Sequence, residues 1–199
     1  MRRLFCFVAV LLVGGVQVGA HPHVFIDATA SVEFQDSTPV AVHVRWSFDD
    51  FFSRTILLDF ADGSRGPLSS GQVENIRSMA FENLSNYNYF THILVDGREV
   101  VITRVEDFLA EVDGRSLIYS FRVPLAQPDG VAESELSQVR EVVVGMYDDS
   151  YYSHFDYQDQ PISFTGEDPD GVRVEKRERP DRRYYFDLMV PEMFHINWD

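Results

Sequence analysis

His21 and His23, on either side of Pro22, are the residues whose type and spacing lend themselves most directly to chemistry. If the chain is cut after Ala20, His21 offers an α-amine and an imidazole side by side. Such groups titrate at roughly 7.7–8 and about 6.5, so both are available as neutral donors near pH 7. In an extended segment His21 and His23 fall on one side, roughly 6.5 Å apart along the chain. Pro22 stiffens the segment and has no amide N–H. The amino-terminal copper/nickel mode with histidine third needs that amide, so it is excluded. An amine with two imidazoles remains as a metal brace. A frayed terminus without a ligand is the equal alternative.

The cut itself is read from residues 1–20. Arg2 and Arg3 precede the apolar run Leu4–Val13, and Val18-Gly19-Ala20 supplies small residues before His21. This pattern predicts a secretory signal peptide. The run is shorter than the roughly 20 residues a membrane helix needs, and no later segment is apolar enough. The expectation is an exported chain that does not span a membrane after cleavage.

Composition narrows the chemistry. The only cysteine is Cys6, within that leader. Metal donors must therefore be His, carboxylate or amine, which suits zinc, nickel, cobalt or copper(II). With 17 basic and 32 acidic residues the net charge is −15, which repels phosphate backbones and excludes nucleic acid as a partner.

Around this terminus the sequence predicts mainly strands. Val24 to Phe34 alternates apolar and polar residues, and Val40, Val42, Val44, Trp46 and Phe48 mark the inner face of a second strand. Their hairpin returns Asp49 to the neighbourhood of the N-terminus. Phe51–Leu58 reads as a short helix, Asp59–Gly71 as a loop, and Gln72–Asn86 as a helix with the stripe Val73, Ile76, Ala80, Phe81 and Leu84. Asp96-Gly97 and Asp113-Gly114 predict tight turns, pairing 89–95 with 99–105 and 108–112 with 116–123. Further strands are expected at 139–147, 161–165, 172–177 and 184–190. The fold class is α+β: mainly antiparallel sheet, in sandwich form, with a helical insertion around residues 49–86. Residues 21–165 form one β-rich domain, and 166–199 a C-terminal extension, either an extra hairpin or a mobile tail.

The other polar residues divide less sharply. Asp49 and Asp50 suit the first turn of a helix. Asp148, Asp149, Tyr151, Tyr152, His154 and Asp156 make a dense cluster that reads equally as a binding rim or a solvated loop. His43, His92 and His195 have no partner at metal-binding spacing and read as surface residues. No phosphate loop, nucleophile elbow or His-Glu-x-x-His pair is present, so no enzymatic reaction is expected.

His21-Pro22-His23-Val24-Phe25-Ile26-Asp27, the run Val44–Ser53, Glu82-Asn83-Leu84, Tyr89-Phe90-Thr91, Val95-Asp96-Gly97 and the run Tyr147–Tyr152 occur here in order. Over residues 21 to about 165 the chain thereby resembles a bacterial family of exported, periplasmic proteins of unknown function, loosely described as components of an uncharacterised transport system. Its members are often encoded beside, or fused to, nickel/cobalt-type metal permeases. The resemblance implies a periplasmic location, a metal-supply or metal-sensing role and an inner-membrane permease as partner. The matching polar positions are His21, His23, Asp27, Asp49, Asp148 and Tyr151. Members commonly carry a calcium-hand-like loop after the first helix. Here its first, third and fifth positions are Ala61, Gly63 and Arg65 and its closing position is Gln72, so no calcium site is expected.

These readings converge on an accessory protein that binds a divalent transition metal (nickel, cobalt, zinc or copper) through His21 and His23, with Asp49 or Asp148 completing the set. Two alternatives stand beside it. One is a metal-free docking module presenting the 147–157 face. The other is a copper oxygenase built on the histidine brace.

Overall fold

The computed structural model describes residues 22–128 and 130–199. The expected leader and His21 lie outside the described residues. The first two strands, β1 (Val24–Gln35) and β2 (Thr38–Phe48), form the predicted antiparallel hairpin. Val24, Ile26, Ala28, Ala30, Val32 and Phe34 are all buried, as the alternation requires. On β2 the expected inner residue Val40 is only half buried. Glu33 faces Ala41 and Phe34 faces Pro39, so Val40 is the extra residue of a β-bulge.

The remaining strands are β3 (Thr91–Val95), β4 (Arg98–Glu99), β5 (Glu106–Asp113), β6 (Ser116–Pro124), β7 (Glu141–Met146), β8 (Ser153–Gly166), β9 (Arg173–Glu178) and β10 (Glu192–Asn197). They build two five-stranded sheets, ordered β5-β6-β2-β1-β8 (sheet A) and β4-β3-β7-β10-β9 (sheet B). Every pairing is antiparallel except β1 with β8. The chain is thus mostly antiparallel sheet with few helices, a β-rich α+β fold.

Aromatic packing joins the two sheets in one core. Trp46 is fully buried against Phe48, Phe90, Phe121 and Phe155, and its Nε1–H donates to Met146 Sδ at 3.2 Å. Phe34 of sheet A meets Trp198 edge-on at 5.2 Å. Residues 173–197 contribute β9 and β10, and β10 sits between β7 and β9 with Met193 and Ile196 fully buried. Gly145 on β7 permits that approach, since a Cβ there would lie 2.7 Å from Met193 Cγ.

The helices are α1 (Asp50–Phe60) and α2 (Ser70–Ile76). A capping box of Ser69 and Gln72 starts α2. Beyond it the chain continues as a wide turn (Arg77–Phe81) and a tight one (Glu82–Phe90), instead of the single helix expected to Asn86. The stripe still packs inward: Ile76 and Phe81 are buried, and Phe81 stacks on Phe108 at 4.2 Å.

Two expected strands are corrected. Of 99–105 only Glu99 lies in a strand, opposite Leu94, and Val100 N–H still donates to Ile93 O at 2.9 Å. Side-chain amides take the place of a ladder beyond it: Asn88 Oδ1 accepts from Ile102 N–H, and Gln127 Oε1 from the N–H groups of Thr103 and Arg104. Residues 184–190 form one isolated bridge, Tyr184 to Met189. Positive φ at Tyr185, Phe186 and Asp187 is incompatible with an extended strand.

Candidate functional site

The start of β1 is clamped from both sides. The N–H groups of His23 and Val24 both donate to Tyr152 O, at 2.8 and 3.2 Å, and the parallel pairing with β8 follows. Its register sets Val24 beside Ser153, Phe25 beside His154 and Asp27 beside Asp156. Since alternate residues face outward, the outer face of sheet A at this end carries Phe25 and Asp27 from β1 with His154 and Asp156 from β8. His154 Nε2 lies 3.2 Å from Asp156 Oδ1. The His23 ring sits 4.9 Å from that of Tyr152, and Phe25 meets His154 edge-on at 6.0 Å. This arrangement is an imidazole–carboxylate pair on the strand beside β1, near the segment that carries His23, and open to solvent.

Asp49 and Asp148 have a different task. Asp49 Oδ1 accepts from Phe52 N–H, capping α1, while Oδ2 accepts from Phe25 N–H, each at 2.8 Å. Asp49 N–H in turn donates to Phe25 O. One side chain therefore starts the helix and fastens β1. Asp148 is almost fully buried. Its Oδ1 accepts from Ser150 N–H and Ser150 Oγ–H, at 2.9 and 2.7 Å, and Oδ2 from Ser153 N–H at 3.0 Å. These bonds close the 148–153 turn, in which Tyr151 adopts a left-handed φ of 54°. Both carboxylates hold the scaffold beside the open pair. Among the described residues no three His, Cys, Asp or Glu side chains are gathered as a metal would need. His21 is outside them.

Two of the other histidines, His92 and His195, depart from the surface reading, while His43 keeps to it. His92 stacks on Tyr147 with ring centres 3.7 Å apart and planes 6° from parallel. His195 is buried, with Nδ1 2.9 Å from Glu141 Oε1. His43 is half exposed and lies 2.9 Å from Glu33 Oε2.

Residues 180–191, which link β9 to β10, line the site on its sheet B side. Arg182 forms a bidentate pair with Glu99 at 3.1 and 3.0 Å. Hydrogen bonding from His92, then from Arg182, holds the Glu99 carboxyl down at about 2. Tyr184 packs 4.9 Å from Tyr147, and burial pushes its phenol up to about 12. Tyr185 N–H donates to Asp149 O, and the tip beyond it leaves Phe186 88% and Leu188 72% exposed. His154 and Asp156 belong to the 148–156 cluster read from the sequence as a binding rim or a solvated loop, but their pairing beside β1 was not expected, and the aromatic tip did not stand out in the sequence. Their signals were the i, i+2 spacing of His154 and Asp156 and the run Tyr184-Tyr185-Phe186.

The chain belongs to the family described as "Protein of unknown function (DUF1007)", whose model matches residues 6–184. It is similar to a Spirochaeta aurantia protein described as an uncharacterized 15.5 kDa protein in the trpE 3′ region. That match is 22% identical over 144 residues, covering 72% of this chain and 98% of the relative. It is also similar to an uncharacterized Haemophilus influenzae protein, 24% identical over 141 residues, covering 69% of this chain. There the match spans 63% of the relative's length, just under two thirds.

Proposed function

We infer that the protein is an exported, periplasmic accessory factor that binds a divalent transition metal (nickel, cobalt, zinc or copper) in support of a membrane permease. His21 and His23 are the primary donors. The reading is supported by one observation above all: the parallel β1–β8 register, which begins one residue after His23, runs β1 alongside the strand that carries the His154–Asp156 pair. Imidazole and carboxylate are suitable donors for such an ion. Asp49 and Asp148, whose oxygens are engaged by backbone N–H groups, are assigned to holding the two strands in place. His154 and Asp156 are the further donors assigned to the set; among the described residues they and His23 are not gathered at metal-binding distance, so the set requires the His21 donors and closes on binding the ion. No reaction is assigned.

Native mass spectrometry of the protein beginning at His21, with nickel, zinc and copper offered separately, tests this reading. One ion should bind per chain, and His23→Ala combined with His154→Ala should weaken it at least tenfold. Unchanged affinity in that double variant would overturn the assignment.

A metal-free docking role is favoured by the exposure of Phe186 and Leu188 at the tip of the 180–191 connection. Under that reading, capture of a permease survives a chelator and the histidine substitutions, and is lost in Phe186→Ser/Leu188→Ser.

A further inference from the structure

A second site lies at the α1 end of the molecule, built by three segments around a cleft of about 320 Å³. Helix α1 contributes Arg54, Leu57 and Leu58; the loop after it contributes Gly63 and Arg65; the β5–β6 turn contributes Val112, Gly114 and Arg115. Leu57, Leu58 and Val112 make its walls apolar. Gly63 and Gly114 adopt φ of 69° and 59°, which lets both turns close in tightly. A Cβ at Gly63 would already lie 3.2 Å from Leu58 Cδ2.

The rim is cationic in a chain of net charge −15. Asp50 is the acid lining the cleft, and Arg115 holds it, with Nε 2.9 Å from Oδ1. Among the described residues the guanidinium groups of Arg54 and Arg65 make no ion pair or hydrogen bond. Two uncompensated guanidinium groups thus flank an apolar slot.

We propose that the cleft formed by α1, the 61–66 loop and the β5–β6 turn binds a small amphipathic anion, a carboxylate with a short hydrocarbon chain, its head group on Arg54 and Arg65 and its chain against Leu57, Leu58 and Val112. A volume at the lower end of the ligand-pocket range suits a chain of about eight carbons. Guanidinium is suited to a carboxylate head through paired N–H donors. This site is separate from the N-terminal histidines and does not depend on the metal reading.

Isothermal titration of the full chain with octanoate, octanol and octylamine tests the proposal. Octanoate should bind at one site, at least tenfold more tightly than octanol, with octylamine weaker still. Arg54→Glu/Arg65→Glu, two exposed substitutions, should reduce octanoate affinity at least tenfold while the circular dichroism spectrum is retained. Leu58→Asn should weaken octanoate and octanol alike. The proposal is overturned if octanoate does not bind, if octanol binds as tightly, or if the charge-reversed variant binds octanoate unchanged.

Discussion

At one end of the outer face of sheet A, Glu33 accepts from Arg122 Nε at 2.7 Å and meets His43 at 2.9 Å, while Arg122 also donates to Glu106 at 2.6 Å. At the other end of that face, six residues away on β1, Asp27 stands opposite Asp156, and among the described residues His154 touches Asp156 alone among charged groups. Both ends combine histidine with carboxylates and share strand β1, but only the first includes an arginine. The first spreads its charges across β1, β2, β6 and β5, each with an opposite partner, and stiffens the sheet. The second sets two carboxylates on adjacent strands, an arrangement that is unfavourable without a cation. Like charges left opposite one another at a solvent-open edge are what a binding site needs and a stability network avoids.

The carboxylates behind the open end should give the largest effects on stability. Asp148→Ala leaves three donors without their acceptor, the N–H of buried Ser153 and the N–H and hydroxyl of Ser150, and removes the bonds that close the turn. It is expected to cost about 3 kcal/mol, read as a fall in the urea midpoint. A loss below about 1 kcal/mol would show that the 148–153 turn closes without it. Asp49→Ala removes a helix cap and a clamp on Phe25, and should cost about 1–2 kcal/mol. Metal stoichiometry measured on that folded variant should be unchanged; lost uptake would return Asp49 to the ligand set.

The closed end makes a pH prediction. Hydrogen bonding from Arg122, foremost, lowers the Glu33 carboxyl from 4.5 to about 2. A group depressed in the folded state stabilises fully above its unfolded value and loses that contribution as pH falls through the folded value. The urea midpoint should therefore drop between about pH 4.5 and pH 2, and less steeply in Glu33→Gln. At pH 7 the substitution should cost about 1–2 kcal/mol. Parallel pH curves for the two proteins would break the contrast.

The open end should contribute least to stability and most to binding. His154→Ala and Asp156→Asn should each change stability by under about 0.5 kcal/mol, because the pair is partly solvated. Each should nonetheless weaken metal uptake several-fold. A stability loss as large as that of Glu33→Gln would make the two ends equivalent.

Much of this organisation is local and so was legible in the residues. The period-2 pattern of Val24–Phe34 fixed which side of β1 is buried, and Asp113-Gly114 marked the β5–β6 turn. Asp49 before Phe51 signalled a helix start, although its second oxygen binds Phe25, 24 residues away. The expected strand at 99–105 failed because Asn88 and Gln127, distant in sequence, supply its acceptors. The helix expected over 72–86 has the right buried stripe but changes its winding after Ile76, where packing on Phe108 and Phe121 outweighs regular hydrogen bonding.

Local alternation and turn chemistry, written in the sequence, determined the β-rich character, the hairpins and the residues available to a terminus bearing two histidines. Which carboxylates stand near that terminus was decided only by tertiary structure. A parallel pairing joins segments more than a hundred residues apart, and nothing in the local pattern of either strand specifies its partner. That pairing brings His154 and Asp156 to β1, and the same assembly engages Asp49 and Asp148 in backbone hydrogen bonds. The physical reason is that side-chain periodicity sets the face of a strand, whereas its neighbour is set by how the whole core packs.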